Sequence, residues 1–219
     1  MIITYHGLEC FKFQFGNVVV ATNPPTKDSQ AVAKPPRFGA DIVLESLQHP
    51  DFAGGEHMSY GEKKPFVVRG PGEYEIQDII VRGFHTVSHY GGMERINTLY
   101  SLFFEGMHIV FAGALDEKEL SQEILELLDS IDIMFVPIGG VSSSADKGGV
   151  LDASSAYKLA VKHEPRLIIP MHYDGERGTA LKTFLEEGGQ EQSTAEEKLT
   201  VKRKDLETSE GDIVVLALQ

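Results

Sequence analysis

His49 and Asp51 stand two residues apart, with Pro50 between them and Gly54-Gly55 close behind. An imidazole and a carboxylate held that close on a constrained turn supply nitrogen and oxygen donors for a transition metal, or an acid–base pair for proton transfer. The residues before them, Asp41 to Leu44, form an apolar run opened by an acid, which predicts a short buried strand. The chain leaves that strand into the polar turn carrying both groups.

The elements around this turn alternate in a readable way. Ile2 to Tyr5, Cys10 to Phe15 and Val18 to Ala21 are β-rich segments separated by short glycine-containing turns, and predict an antiparallel meander. Pro24 to Ala40 holds four prolines and little periodicity, so it reads as a loop delivering the chain to the Asp41 strand. Phe66 to Arg69, the turn Gly70-Pro71-Gly72, and Tyr74 to Gly83 predict a hairpin; Asn97 to Phe104 and His108 to Phe111 predict another. Beyond Phe111 strand and helix alternate. Leu120, Ile124, Leu127 and Leu128 have helical spacing behind Asp116, which is expected as the helix N-cap. Asp152 is expected to cap a helix running to about His163, a strand follows from Leu167, and a third helix spans about Ala180 to Glu187. Strands at 199–202 and 212–218 close the chain, and Ser142-Ser143-Ser144 reads as loop.

Several of these segments resemble the metallo-β-lactamase superfamily, in particular its small branch that looks like the ascorbate-6-phosphate lactonase. The stretch 41–55 resembles the family's first metal-binding motif, His-x-His-x-Asp-His after a strand. Aligned without a gap, Leu47 and Phe52 occupy histidine positions, while His49 and Asp51 remain. Gly7-Leu8-Glu9-Cys10-Phe11 and Thr22-Asn23-Pro24 are similar to Gly-His-Ser-Cys-Phe and Ile-Asp-Pro, with the scaffold residues kept and the polar ones exchanged. Gly70-Pro71-Gly72-Glu73-Tyr74 matches a stretch that carries fold and no chemistry. His89 fits the third ligand position, and Tyr90 replaces the Asp that usually follows. Ala112-Gly113-Ala114 stands where the family reads His-x-Gly-Asp, so Ala114 replaces the carboxylate that bridges two metals; Pro170-Met171-His172-Tyr173 matches the last motif, whose histidine is a ligand.

The resemblance covers nearly the whole chain and implies a single domain over 1–219, an α/β four-layer αββα sandwich with the site in loops on one edge of two sheets. Of the seven side chains such a site uses, His49, Asp51, His89 and His172 remain, and Leu47, Phe52 and Ala114 are apolar. In the family arrangement His49 and His89 serve one metal, Asp51 and His172 the other. Each position therefore keeps two protein ligands where a catalytic zinc needs three and an open position. His6, two residues before Leu8, is a candidate replacement imidazole if the strand keeps its period of two, and an ordinary strand-end histidine otherwise. Two readings follow. In one, the standard dinuclear site is gone, Leu47, Phe52 and Ala114 fill its cavity, and the protein binds a small molecule or a protein partner without catalysing. In the other, one divalent metal, zinc by preference, is held by His49, Asp51, His89 and His172 for hydrolysis of a small ester, lactone or phosphoester, with Asp51 as base. No Gly-x-Ser-x-Gly elbow or cysteine–histidine arrangement offers a covalent mechanism.

Composition bounds the partners. Thirty-three acids against twenty Lys and Arg give a formal charge of −13, which repels nucleic acid unless a local basic patch overrides it. The only run of basic residues is Lys202-Arg203-Lys204, expected as a solvated strand end, and Arg69 is the donor nominated for any small phosphorylated ligand. No apolar run of membrane length and no leader is visible, and the single cysteine, Cys10, is expected as a small core residue. A cytoplasmic protein is expected, with no membrane partner.

Overall fold

A computed structural model describes the chain except for Ala33, residues 141–148, Asp174 and Arg177. The serine run 142–144 therefore lies outside the described residues. Among the described residues, thirteen strands form two sheets. The first has the order β12(Leu199–Thr200), β1(Ile2–Tyr5), β2(Phe11–Phe15), β3(Val18–Thr22), β4(Ile42–Glu45), β5(Phe66–Arg69). The second has the order β13(Asp212–Ile213), β11(Leu167–Met171), β10(Ile133–Pro137), β9(Met107–Phe111), β8(Arg95–Phe104), β7(Ile79–Ser88), β6(Gly72–Ile76). The expected meander is present: β1, β2 and β3 pair antiparallel, with Phe13 opposite both Ile3 and Val20. From β9 through β10, β11 and β13 the second sheet is parallel, as the alternation with helices requires.

The sheets face one another across a shared core of Ile3, Phe11, Phe13, Leu44, Tyr100, Phe111, Phe135 and Ile169. Alternation puts them there: in Phe11-Lys12-Phe13-Gln14-Phe15 the first and third side chains are buried and Lys12 and Gln14 face the other way. The outer face of the second sheet packs on α1(Gln122–Leu127), α2(Ala153–Lys162) and α3(Thr179–Glu187) through Ile124, Ala156, Leu159, Leu181 and Phe184. The outer face of the first sheet is covered differently, by Phe38, Ala40 and Met58 from the proline-rich loop and a single 3-10 turn, Gly55–His57. This is the layered α/β sandwich expected, with its fourth layer reduced to loop. None of the described helices is long and apolar enough to cross a membrane.

Three local expectations are corrected. β5 and β6 do not form a hairpin: β5 pairs parallel with β4, β6 pairs antiparallel with β7, and Gly70-Pro71 carries the chain from one sheet to the other. Gly70, at φ +87°, supplies the left-handed residue that this change of direction needs. Asp116 does not cap α1, whose N-cap is Ser121 accepting from the Ile124 amide at 3.4 Å. Lys202-Arg203-Lys204 leaves β12 and enters a 3-10 turn at Arg203–Leu206. Asp152 does cap α2, accepting from the Ser155 amide at 2.9 Å. Cys10 is fully buried, and burial pushes its thiol up, which leaves it an inert core group.

Candidate functional site

The turn that follows β4 packs beside the ends of β8, β9 and β11. Leu47 bridges to Asn97 of β8, and the Ser46 carbonyl accepts from the Thr98 amide at 2.8 Å. Asn97 is fully buried and fixes the loop after β9: its Nδ2 donates to the Ala112 carbonyl at 2.9 Å, and its Oδ1 accepts from the Ala114 amide at 2.9 Å. Gly113 sits between them at φ +61°, where a Cβ would lie 2.5 Å from Ser46 Cβ and Oγ. Only glycine fits that crossing. The local order is therefore set by an amide and a glycine, and it aims Ala114 inward.

Inward means into a small apolar cluster. Leu47, Phe52 and Ala114, the three residues at family ligand positions, are buried together with Tyr90 and Val150. Phe52 is fully buried, and its ring lies 4.9 Å from that of Tyr90 and 5.8 Å from that of His172. Tyr90 also stands edge-on to His49 at 5.0 Å and to His172 at 5.3 Å, so one phenol ring contacts both imidazoles. Its hydroxyl donates to Asp51 Oδ2 at 2.8 Å. Asp51 Oδ1 accepts from Ser29 Oγ at 2.5 Å, and His49 Nδ1 is 3.4 Å from Oδ2. Tyr90, which was read as the residue replacing an Asp, is the centre of the arrangement.

His172 belongs to a second polar group. Its Nδ1 is 2.9 Å from Oε1 of Glu9, a carboxylate with no exposed surface. Glu9 Oε2 accepts from Asn23 Nδ2 at 2.7 Å, and Asn23 is locked to Ser46 through both ends of its amide, at 2.7 Å each. A buried carboxylate without such partners would cost several kcal/mol, on the order of the penalties measured for orphaned buried charges. Three non-glycine residues with left-handed backbone meet in this group: Leu8 at φ 52°, Asn23 at φ 38° and His172 at φ 58°. The His172 amide donates to the Leu8 carbonyl at 2.6 Å, and these bonds hold a conformation that each residue alone avoids.

The remaining candidates lie outside both groups. His89 is half exposed, and its contacts are Asp116, 2.7 Å from Nδ1, and Glu94, 3.7 Å from Nε2. The Asp116 hydrogen bond holds the imidazole above its ordinary value, with the acid's charge and Glu94 adding. Asp116, expected as a helix N-cap, instead orients His89, accepting from its backbone amide as well at 2.8 Å. His6 turns to the outer face of the first sheet, where its ring packs 4.7 Å from Phe38 and Nε2 lies 3.0 Å from Thr4 Oγ1. Burial, with Lys12 nearby, pulls it down to about 4. It is the strand-end histidine, and no contact brings it to His172. Arg69 is taken by Glu45 at 2.6 Å and Glu56 at 3.3 Å.

The nominated donors thus divide into His49 with Asp51, His172 with Glu9, and His89 with Asp116. Among the described residues no three His, Cys, Asp or Glu side chains gather as a metal-binding group. The donor set as arranged does not fit the family's metals, because a phenol ring and Phe52 occupy the space between the imidazoles. Glu9 and Asn97 were not singled out from sequence. Glu9 is separated from His172 by more than half the chain, although its place in Gly7-Leu8-Glu9-Cys10-Phe11, at an exchanged polar position, was a usable signal.

The model of the β-lactamase superfamily domain matches residues 2–172, from the first strand to the last motif histidine. The chain belongs to the metallo-β-lactamase superfamily. A UPF0173 protein of Pyrococcus abyssi is 23% identical, covering 96% of this chain and 99% of its own. Among solved structures, a Thermotoga maritima protein assigned to the Zn-dependent hydrolases of the superfamily superposes with a TM-score of 0.73 at 23% identity, over 100% of this chain and 99% of that one. Igni18, a metallo hydrolase of Ignicoccus hospitalis, superposes with a TM-score of 0.60 at 17% identity, over 99% and 94%. At such identities the likeness is one of fold. This superfamily member shares the scaffold of metal-dependent hydrolases, and its own side chains decide its chemistry.

Proposed function

We propose that this chain is a superfamily member that has exchanged the standard dinuclear metal site for a packed aromatic cluster and works by binding a ligand or partner without metal catalysis. The observation that carries this reading is Tyr90. Its ring lies against His49, Phe52 and His172 while its hydroxyl occupies Asp51, so ligand positions are filled with carbon and the surviving carboxylate is already hydrogen-bonded. Glu9 does the same for His172. Packing of this kind replaces metal–ligand bonds by dispersion and burial.

A second reading keeps one metal, for which the relatives' description as Zn- or metal-dependent hydrolases speaks. It requires His89 to leave Asp116 and Tyr90 to swing out from between His49 and His172. Metal content after dialysis, together with melting temperature in chelator and in added zinc, separates the two. The binding reading expects far less than one equivalent of transition metal and no shift in melting temperature in either direction. About one equivalent, lost in His49→Ala or His172→Ala, would overturn it and make Asp51 the candidate base of a mononuclear hydrolase.

A further inference from the structure

The fold assembles a basic patch that the sequence does not announce. Loop 24–40, the outer face of β2 and β3, and residues 57–63 enclose a cleft of about 930 Å³. Lys12, Lys27, Lys34, Arg37 and Lys63 line it, five of the chain's twenty Lys and Arg, against Asp41 as the one acid among the described lining residues. The sequence shows one basic run, Lys202-Arg203-Lys204, and the fold adds this second cluster. These cations are spread over 12–63, so no run of basic residues betrays them.

Their pairing is uneven. Lys63 is bound to Asp41, whose other oxygen accepts from the Val19 amide at 2.8 Å. Among the described residues Lys12, Lys27, Lys34 and Arg37 make no ion pair, in a chain whose surplus of carboxylates offers partners almost everywhere. Four like charges around one concavity give it a positive potential that attracts an anion. The wall between them is apolar and ring-rich: Phe38, half buried beneath Lys12 at 5.6 Å, with Pro35, Pro36 and Met58, and exposed Tyr60 at the rim. The volume suits a ligand of nucleotide size.

We propose that this cleft binds a small organic phosphate carrying several negative charges, with Lys12, Lys27, Lys34 and Arg37 on the phosphates and an attached ring or apolar group against Phe38 and Tyr60. Arg37 presents the forked donors that match a phosphate, and the lysines add compact charge. This site stands on the outer face of the first sheet and does not depend on whether the Phe52 cluster holds a metal.

Isothermal titration with pyrophosphate and with ATP, without added metal, tests it. Saturable binding of both is expected, tighter for ATP, and weakened about ten-fold or more by the double variant Lys34→Gln/Arg37→Gln. Both side chains are exposed, so the variant should melt as the parent does. The double variant Arg203→Gln/Lys204→Gln removes equal charge elsewhere and should bind as the parent does. Absence of saturable binding for both probes, or equal weakening in the two variants, would overturn the site. So would oligothymidylate binding that tightens with length beyond ATP, which would make the cleft a nucleic-acid track.

Discussion

The Phe52 cluster and the Phe38 cleft both hang on the loop 24–40, and they treat polar groups in opposite ways. At the cluster the loop is stapled down: Thr26 N–H donates to the Pro50 carbonyl at 2.7 Å and Ser29 Oγ to Asp51 at 2.5 Å. Asp51, His172, Glu9 and Asn23 each have a protein partner. In the cleft, four cations have no carboxylate partner among the described residues and lie open to solvent or half so. A buried polar group satisfied from within is a structural element, whereas solvated like charges lining one concavity stay available to an anion. The difference teaches that inheritance of a family site and present capacity to bind are separate properties.

The comparison is broken most severely by removing an internal partner. Glu9→Leu deprives His172 Nδ1 of its carboxylate partner and Asn23 Nδ2 of one of its two acceptors inside a closed network, and should cost about 3–5 kcal/mol in urea unfolding, as breaking a buried pair does. A loss below about 1 kcal/mol would mean that the network is not structural. Tyr90→Phe keeps the ring and removes the hydroxyl that serves Asp51. It should cost about 1–2 kcal/mol, the penalty for one unmet buried acceptor, and no cost would show that Ser29 alone suffices. The smallest effect belongs to the exposed pair. His89 should titrate above its ordinary value by NMR and return toward it in Asp116→Asn. Since the native value is raised, this pair favours the fold fully below the ordinary imidazole range, and its contribution fades as pH rises through the raised value.

How much of this was legible follows the range of the signals. Local periodicity placed most of the strands, and Asp152 marked its helix, because period-two burial and N-capping are written in adjacent residues. Tyr74 to Gly83, read as one strand, is instead two that turn at Gln77-Asp78, and the strand expected at 212–218 is only Asp212–Ile213. The sheet change at Gly70-Pro71 was read as a hairpin because a turn sequence states that the chain bends and says nothing of which sheet receives it. In the candidate site Leu47, Phe52 and Ala114, expected from the resemblance at ligand positions, are buried in one cluster. Tyr90 and Glu9 were passed over. Their importance is three-dimensional: Tyr90 reaches Asp51 thirty-nine positions away, and Glu9 reaches His172 across 163. The basic cleft was invisible for the same reason, its cations being scattered through 12–63 and separated there by acids of which only Asp41, among the described residues, lines the cleft.

The pairing of β1 with β12, Ile2 opposite Thr200, has a consequence during synthesis. β1 is synthesised long before β12, its second neighbour, so one border of the sheet stays open while the residues between them are made. The Glu9–His172 bond waits nearly as long. Contacts so distant in sequence slow folding and leave an unpaired strand available to other chains meanwhile. Expression of this protein should therefore be limited less by its final stability than by how well that early, one-sided strand is shielded until residue 200 arrives.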